Sequence, residues 1–180
     1  MACMRMVWSV LGVASVAVLL SGCLPPQPVL APTADPTSTP IFASDGEALA
    51  AAEAAYGAYL AVSDQIAADG GADAERIAPL VTREWLPSEL DAFAKFGLSG
   101  RRQVGATQFS NASLQQLFPV SIYVCVNTSN TGFVDVSGKD VTPTGRQTSF
   151  TFSVEFESQL ADPSLLLLAN AEPWSGASSC

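Results

Sequence analysis

Hydrophobic and polar positions change their period several times along the chain. Met6–Leu24 carries no charged residue, and Arg5 with the starting amine gives it a basic front. That is the profile of a secretory signal. Residues 24–43, LPPQPVLAPTADPTSTPIFA, hold half of the 12 prolines. Such a stretch favours polyproline II and buries too little to fold, so it reads as a stalk, with a reach of roughly 60 Å when fully extended.

Helical spacing begins at Ser44-Asp45-Gly46-Glu47, which has the S-x-x-E form of a capping box. A helix is predicted from there to Ala68, with Leu49, Ala52, Tyr56, Tyr59, Leu60, Ser63, Ile66 and Ala67 on one face and Gly70-Gly71 as its stop. A shorter helix is predicted from Asp73 to about Thr82, shortened by Pro79, with Ile77, Leu80 and Val81 inward. A third starts at Pro87, turns Leu90, Phe93 and Phe96 to one side and ends at Gly97.

The period then falls to two. Arg101–Phe118 reads as extended but irregular, with Val104 and Phe109 as apolar markers and a bulge suggested by Gly105. Val120, Ile122, Val124 and Val126 alternate with Ser121, Tyr123, Cys125 and Asn127, the pattern of a half-buried strand. After a polar connection over 127–145, Thr148, Phe150, Phe152, Val154 and Phe156 form one face of the clearest strand. Leu165–Ala169 is predicted as a last strand, apolar on both faces and therefore buried on both. Helices first and antiparallel strands after, with one apolar sheet face available to the helices, make an α+β fold: N-terminal helices packed on a curved antiparallel sheet.

Composition narrows the chemistry. The net charge is −9, and removing residues 1–22 takes away one arginine and no acid. Nucleic acid is therefore an unsuitable partner, and an anionic membrane surface would repel the domain and favour one lifted away on the stalk. The chain has no histidine, which excludes histidine metal sites and histidine triads and leaves acid–base work to carboxylates, Tyr or Lys. No metal site and no cofactor are expected.

The order Leu20-Ser21-Gly22-Cys23 resembles the lipobox of bacterial lipoproteins. The resemblance implies cleavage behind Gly22 and acylation of the Cys23 sulfur, so that Cys23 becomes the N-terminus of a protein held on the extracytoplasmic face of the cell membrane. An uncleaved membrane anchor and an ordinary signal peptide are the alternatives, although Leu20 occupies a position where ordinary cleavage prefers a small residue. With Cys3 removed and Cys23 carrying lipid, Cys125 and Cys180 remain in an oxidising compartment. A disulfide between them is expected, closing the C-terminal tail over the strand face that Cys125 shares; two free thiols are the alternative. The organisation is then a signal peptide over 1–22, a lipidated Cys and stalk over 23–43, and one domain over 44–180.

The element order resembles the nuclear transport factor 2-like fold, in the form seen in actinobacterial lipoproteins, over about residues 45–180. The residues that carry this are the long Ala/Tyr-rich helix Ala48–Ala68, the short helices with Leu80, Val81 and Leu90, Arg102-Gln103-Val104-Gly105 at the opening of the sheet, Val124-Cys125-Val126 in a middle strand, and the tail from Trp174 to Cys180. The resemblance implies a cone-like shape with a pocket between the long helix and the sheet, where enzymes of the family carry a carboxylate and often a histidine. Here the histidine is missing, and no acid stands out on the predicted inward faces. Tyr56, Tyr59, Trp85, Phe93 and Phe109 are the candidates to line such a pocket; the alternative is that they are core. Asp64 and Asp69 read as solvated acids, and Arg101-Arg102 as surface charges in preference to an anion clamp. Asn111-Ala-Ser113 and Asn127-Thr-Ser129 match a glycosylation pattern that is idle in a bacterial lipoprotein.

The preferred function is a non-catalytic envelope module binding a small apolar ligand or a protein partner. The alternative is an isomerase, dehydratase or hydrolase that uses a carboxylate or Tyr inside the cone.

Overall fold

The computed structural model describes residues 41–159, 161–162, 164–177 and 180. The signal peptide, Cys23 and the stalk up to residue 40 lie outside the described residues. The fold is α+β. Helix α1 spans Asp45–Ala68, a 3-10 helix spans Ala74–Leu80, and helix α2 spans Leu86–Leu98. Six strands follow: β1 Arg102–Val104, β2 Gln108–Leu117, β3 Val120–Asn127, β4 Gly132–Val134, β5 Ser149–Ser158 and β6 Leu166–Pro173. The main sheet is antiparallel with order β2-β3-β5-β6, and β1 pairs with β4 in a small sheet of its own.

Local chemistry sets the ends of α1. Ser44 is its N-cap, its side chain accepting from the Glu47 N–H at 3.2 Å. Glu47 returns the contact one residue earlier than the usual capping box, with Oε2 accepting from the Ala43 N–H at 2.7 Å. At the other end the Gly71 N–H reaches back to the Ile66 carbonyl at 2.8 Å. Gly71 sits at φ +85°, and a Cβ there would lie 2.4 Å from the Phe93 carbonyl oxygen. The helix stop is thus also the close contact between α1 and α2.

Ala48, Ala52, Tyr56 and Ile66 bury the inner stripe of α1 against the sheet face formed by Val120, Ile122, Val124, Val126, Val154, Phe156 and Leu168. The periods of β3 and β5 are as expected. Phe42, which the stalk was expected to contain, is buried in this core with Ile41 packed beside it, so the fold begins before residue 44. An aromatic and a β-branched residue side by side offer enough apolar area to dock what the prolines before them cannot.

Three expectations are corrected. The second helix is a 3-10 helix, and past its end Val81 forms a parallel bridge with Leu168 while the Thr82 N–H bonds the Leu168 carbonyl at 2.8 Å. The Arg101–Phe118 stretch is extended and irregular as expected, but the bulge suggested at Gly105 lies instead in β2, where the register shifts between Ser110 and Ser113 around Asn111, at φ 53°, and again between Leu114 and Gln116. The last strand runs to Pro173 and lies at the sheet edge. There Leu166 and Leu168 are buried, Leu167 is half-buried and Leu165 before them is exposed, so it alternates instead of being covered on both faces.

Cys125 and Cys180 form a disulfide across 55 residues of sequence, with their Cα atoms 5.0 Å apart. Because Val124 and Val126 point into the core, Cys125 presents its sulfur to the outer sheet face, and the tail crosses that face. Trp174 stacks on Tyr123 with ring centroids 4.6 Å apart, and its backbone N–H donates to the Thr151 carbonyl.

Candidate functional site

The five aromatic candidates fall into one connected region between α1, α2 and β2. Tyr56 is 3% exposed and forms an offset stack with Tyr59 one turn on, centroids 6.0 Å apart, and packs edge-on against Phe109 of β2 at 5.2 Å. These geometries suit the ring quadrupoles and fill the space between helix and sheet. Phe93 is buried from the α2 side, and Tyr59 and Trp85 are half-buried. Phe109 also reaches an open groove of about 500 Å³, where it lies with Thr107, Gln108, Ser110 and Asn127.

At the centre of this region is an acid that the sequence pattern did not single out. Glu89 is 9% exposed. Its Oε1 accepts from the Trp85 indole N–H at 2.8 Å, and the Tyr59 hydroxyl donates to the carboxylate at 3.1 and 3.2 Å from the two oxygens. Trp85 precedes α2 and Glu89 lies in its first turn, so the i, i+4 spacing brings indole and carboxylate onto one helix face. Phe93 continues that face, whereas Leu90, expected inward, is only half-buried. Glutamate in a first turn normally reads as an exposed partner of the helix dipole, which hid this one. The spacing Trp85-x-x-x-Glu89 was the available signal.

The two phenols are locked in their neutral form. Burial pushes Tyr56 well above the ordinary tyrosine range. Burial also raises Tyr59, with further increases from the Glu89 charge and from the hydrogen bond it gives that carboxylate. Tyr59 is therefore a proton-holding donor here and is unsuited to act as a phenolate base. Among the described residues the ion pairs are Arg76–Asp69 and Lys95–Asp91, both exposed, so no cation sits on Glu89. No group of three or more Cys, Asp or Glu side chains among the described residues is arranged to hold a metal ion.

Asp64 differs from the expected solvated acid. Its carboxylate accepts from Gln103 Nε2 at 2.6 Å, the Thr107 N–H at 2.7 Å and the Thr107 hydroxyl at 2.8 Å. It pins the β1–β2 connection to α1. Asp69 is exposed and paired with Arg76 at 2.7 Å. Arg101 and Arg102 are both exposed. Asn127 uses its side-chain oxygen to accept from the Ser129 N–H at 2.8 Å, a turn function.

A second concavity lies on the outer side of α1. Its apolar groove, about 380 Å³, is lined by Ala51, Ala54, Ala55, Ala58, Pro79 and Leu80, with the start of β6 as its far wall. The small alanine side chains leave the space, and the 3-10 helix supplies the rim. Among the described residues no helix is long and apolar enough to cross a membrane. Comparison of the chain with family models, with curated proteins and with solved structures gave no match.

Proposed function

We propose that the protein is a lipid-anchored, non-catalytic module of the cell envelope, built on a nuclear transport factor 2-like scaffold, that holds a small apolar ligand. The anchor rests on the Leu20–Cys23 motif behind an uncharged apolar run. The non-catalytic reading is carried by the state of the interior: Tyr56, Tyr59 and Phe109 occupy the space between α1 and the sheet, and the oxygens of Glu89 are engaged by Tyr59 and Trp85. A carboxylate in that state ties the start of α2 to α1, and its oxygens are already taken by the two donors. The groove over Ala51–Ala58 offers what the interior does not, an apolar surface open to solvent.

The test fills the groove. Protein extracted from its own membrane is analysed for a bound small molecule, beside an Ala58→Trp variant, whose position is exposed and lines the groove. The expected result is a ligand carried by the parent and lost from the variant while folding is retained. Equal loading of both chains would remove the groove from the account.

The enzymatic alternative has one observation in its favour, the inward position of Glu89. It requires turnover of a small molecule that Glu89→Gln abolishes without loss of folding.

A further inference from the structure

Strand pairing and helix direction define two ends of the fold. Leu117 of β2 pairs with Val120 of β3, Val120 pairs with Phe156 of β5, and Ser158 of β5 pairs with Leu166 of β6. The β2–β3 turn and the β5–β6 turn therefore project from the same end of the sheet. Helix α1 starts there too: Asp45 shares a groove with Leu114–Leu117, whereas Asp64, near the other end of the helix, binds Thr107 at the start of β2. The chain leading from Cys23 consequently joins the fold at the end that carries both turns.

Each turn presents a large apolar side chain to solvent. Phe118 is 53% exposed and Leu165 is 51% exposed. The charged side chains at this end are mostly acidic: Asp45, Glu47, Glu157 and Asp162 are exposed, against Arg83 near the end of β5. At the opposite end Leu98, Val104 and Val136 are exposed. Exposure alone does not say which end meets a partner. The point where the tethered chain arrives favours the first of the two ends.

We infer that the end bearing Phe118, Pro119 and Leu165 rests on a zwitterionic lipid surface, with Phe118 and Leu165 seated among the headgroups. This rests on the anchored reading of Cys23. The 17 residues between Cys23 and Ile41 span roughly 50 Å at full polyproline II extension and less in practice, so the surface stays within reach at high local concentration. Two apolar side chains bind a membrane weakly when free in solution, but the tether makes the contact intramolecular. The acidic surround selects neutral headgroups, because an anionic surface repels it.

The chain from Cys23 onward, which contains every described residue, is coupled through the Cys23 thiol to maleimide lipid in phosphatidylcholine vesicles. Cys125 and Cys180 are bonded to each other and leave that thiol free to react. Phe118→Trp, Leu165→Trp and Val136→Trp variants are read by brominated-lipid quenching of the emission each adds over the parent chain. The expected result is quenching at 118 and 165 about twofold or more above that at 136, reduced when phosphatidylglycerol is added. Equal quenching at the three positions, stronger quenching at 136, or formation of a dimer that covers Phe118 would overturn the proposal. Chemical coupling makes this outcome independent of native acylation, which intact mass reports separately.

Discussion

Replacing Glu89 by Ala removes the acceptor of two half-buried donors. Trp85 Nε1 lies 2.8 Å from Oε1 and the Tyr59 hydroxyl 3.1 Å from Oε2; truncation strands the indole N–H and leaves the Tyr59 hydroxyl with Ser63 beside it. Stranding a buried donor costs roughly 1–3 kcal/mol, so with one donor stranded and the other left with a weaker partner the expected loss is about 1–3 kcal/mol, some of it recovered if water enters. Glu89→Gln keeps one carbonyl oxygen for the indole and turns its amide toward a hydroxyl that also accepts, so its cost should stay near 1 kcal/mol. The combined Tyr59→Phe, Trp85→Phe, Glu89→Leu variant removes donors and acceptor together and should recover most of the Ala loss, because an apolar replacement of a whole buried polar cluster is close to neutral. Urea unfolding followed by far-UV circular dichroism measures all three. A Glu89→Ala protein as stable as the parent, or more stable, would refute the reasoning, since a carboxylate kept at a cost in stability is the mark of a working site.

Reducing the disulfide, or replacing Cys125 and Cys180 by Ser, should lower stability by up to about 4 kcal/mol for a separation of 55 residues in the chain-entropy model, measured by urea unfolding with and without reductant. Gly105→Ala should cost about 2 kcal/mol or more and shift the thermal midpoint accordingly, because Gly105 stands at φ +80° and a Cβ would meet the Asn130 carbonyl oxygen at 1.9 Å. Stability should also fall at alkaline pH. Tyr56 and Tyr59 keep their protons in the fold to higher pH than in the unfolded chain. Their contribution is thus full below the ordinary tyrosine pKa and declines above it, by at most about 1.4 kcal/mol per pH unit for each phenol. Tyr59→Phe should flatten that alkaline decline in a pH series of unfolding curves.

How far the fold was legible depended on whether local pattern or distant partners decided each element. Val120–Val126 and Phe150–Phe156 each pack one face on the helices, so strict alternation survives in their sequence. The inner stripe of α1 was equally plain, and Cys125 followed from its place opposite Val124 and Val126. Strand β1 was read within the extended stretch that opens the sheet, but β4 and its pairing with β1 were not visible, because no period can be read in three positions. The last strand looked buried on both faces because Leu165–Leu168 has no polar residue; only the sheet face that carries Leu166 and Leu168 joins the core with α1, so Leu167 between them stays partly exposed. Asp64 and Glu89 escaped for a common reason. Each is a carboxylate at a helix position that suits solvent, and only partners from other elements, Gln103 and Thr107 for one and Tyr59 for the other, turn it inward.

Anchoring at Cys23 carries the account, because the envelope location, the short tether and the lipid-facing end all depend on it. The intact mass of the protein extracted from its own membrane tests this most directly. A chain that begins at Cys23 and carries the added mass of at least two acyl chains is the predicted result, since one chain alone anchors only marginally. An unlipidated mass, whether of the full sequence or of a chain cut elsewhere, would contradict it.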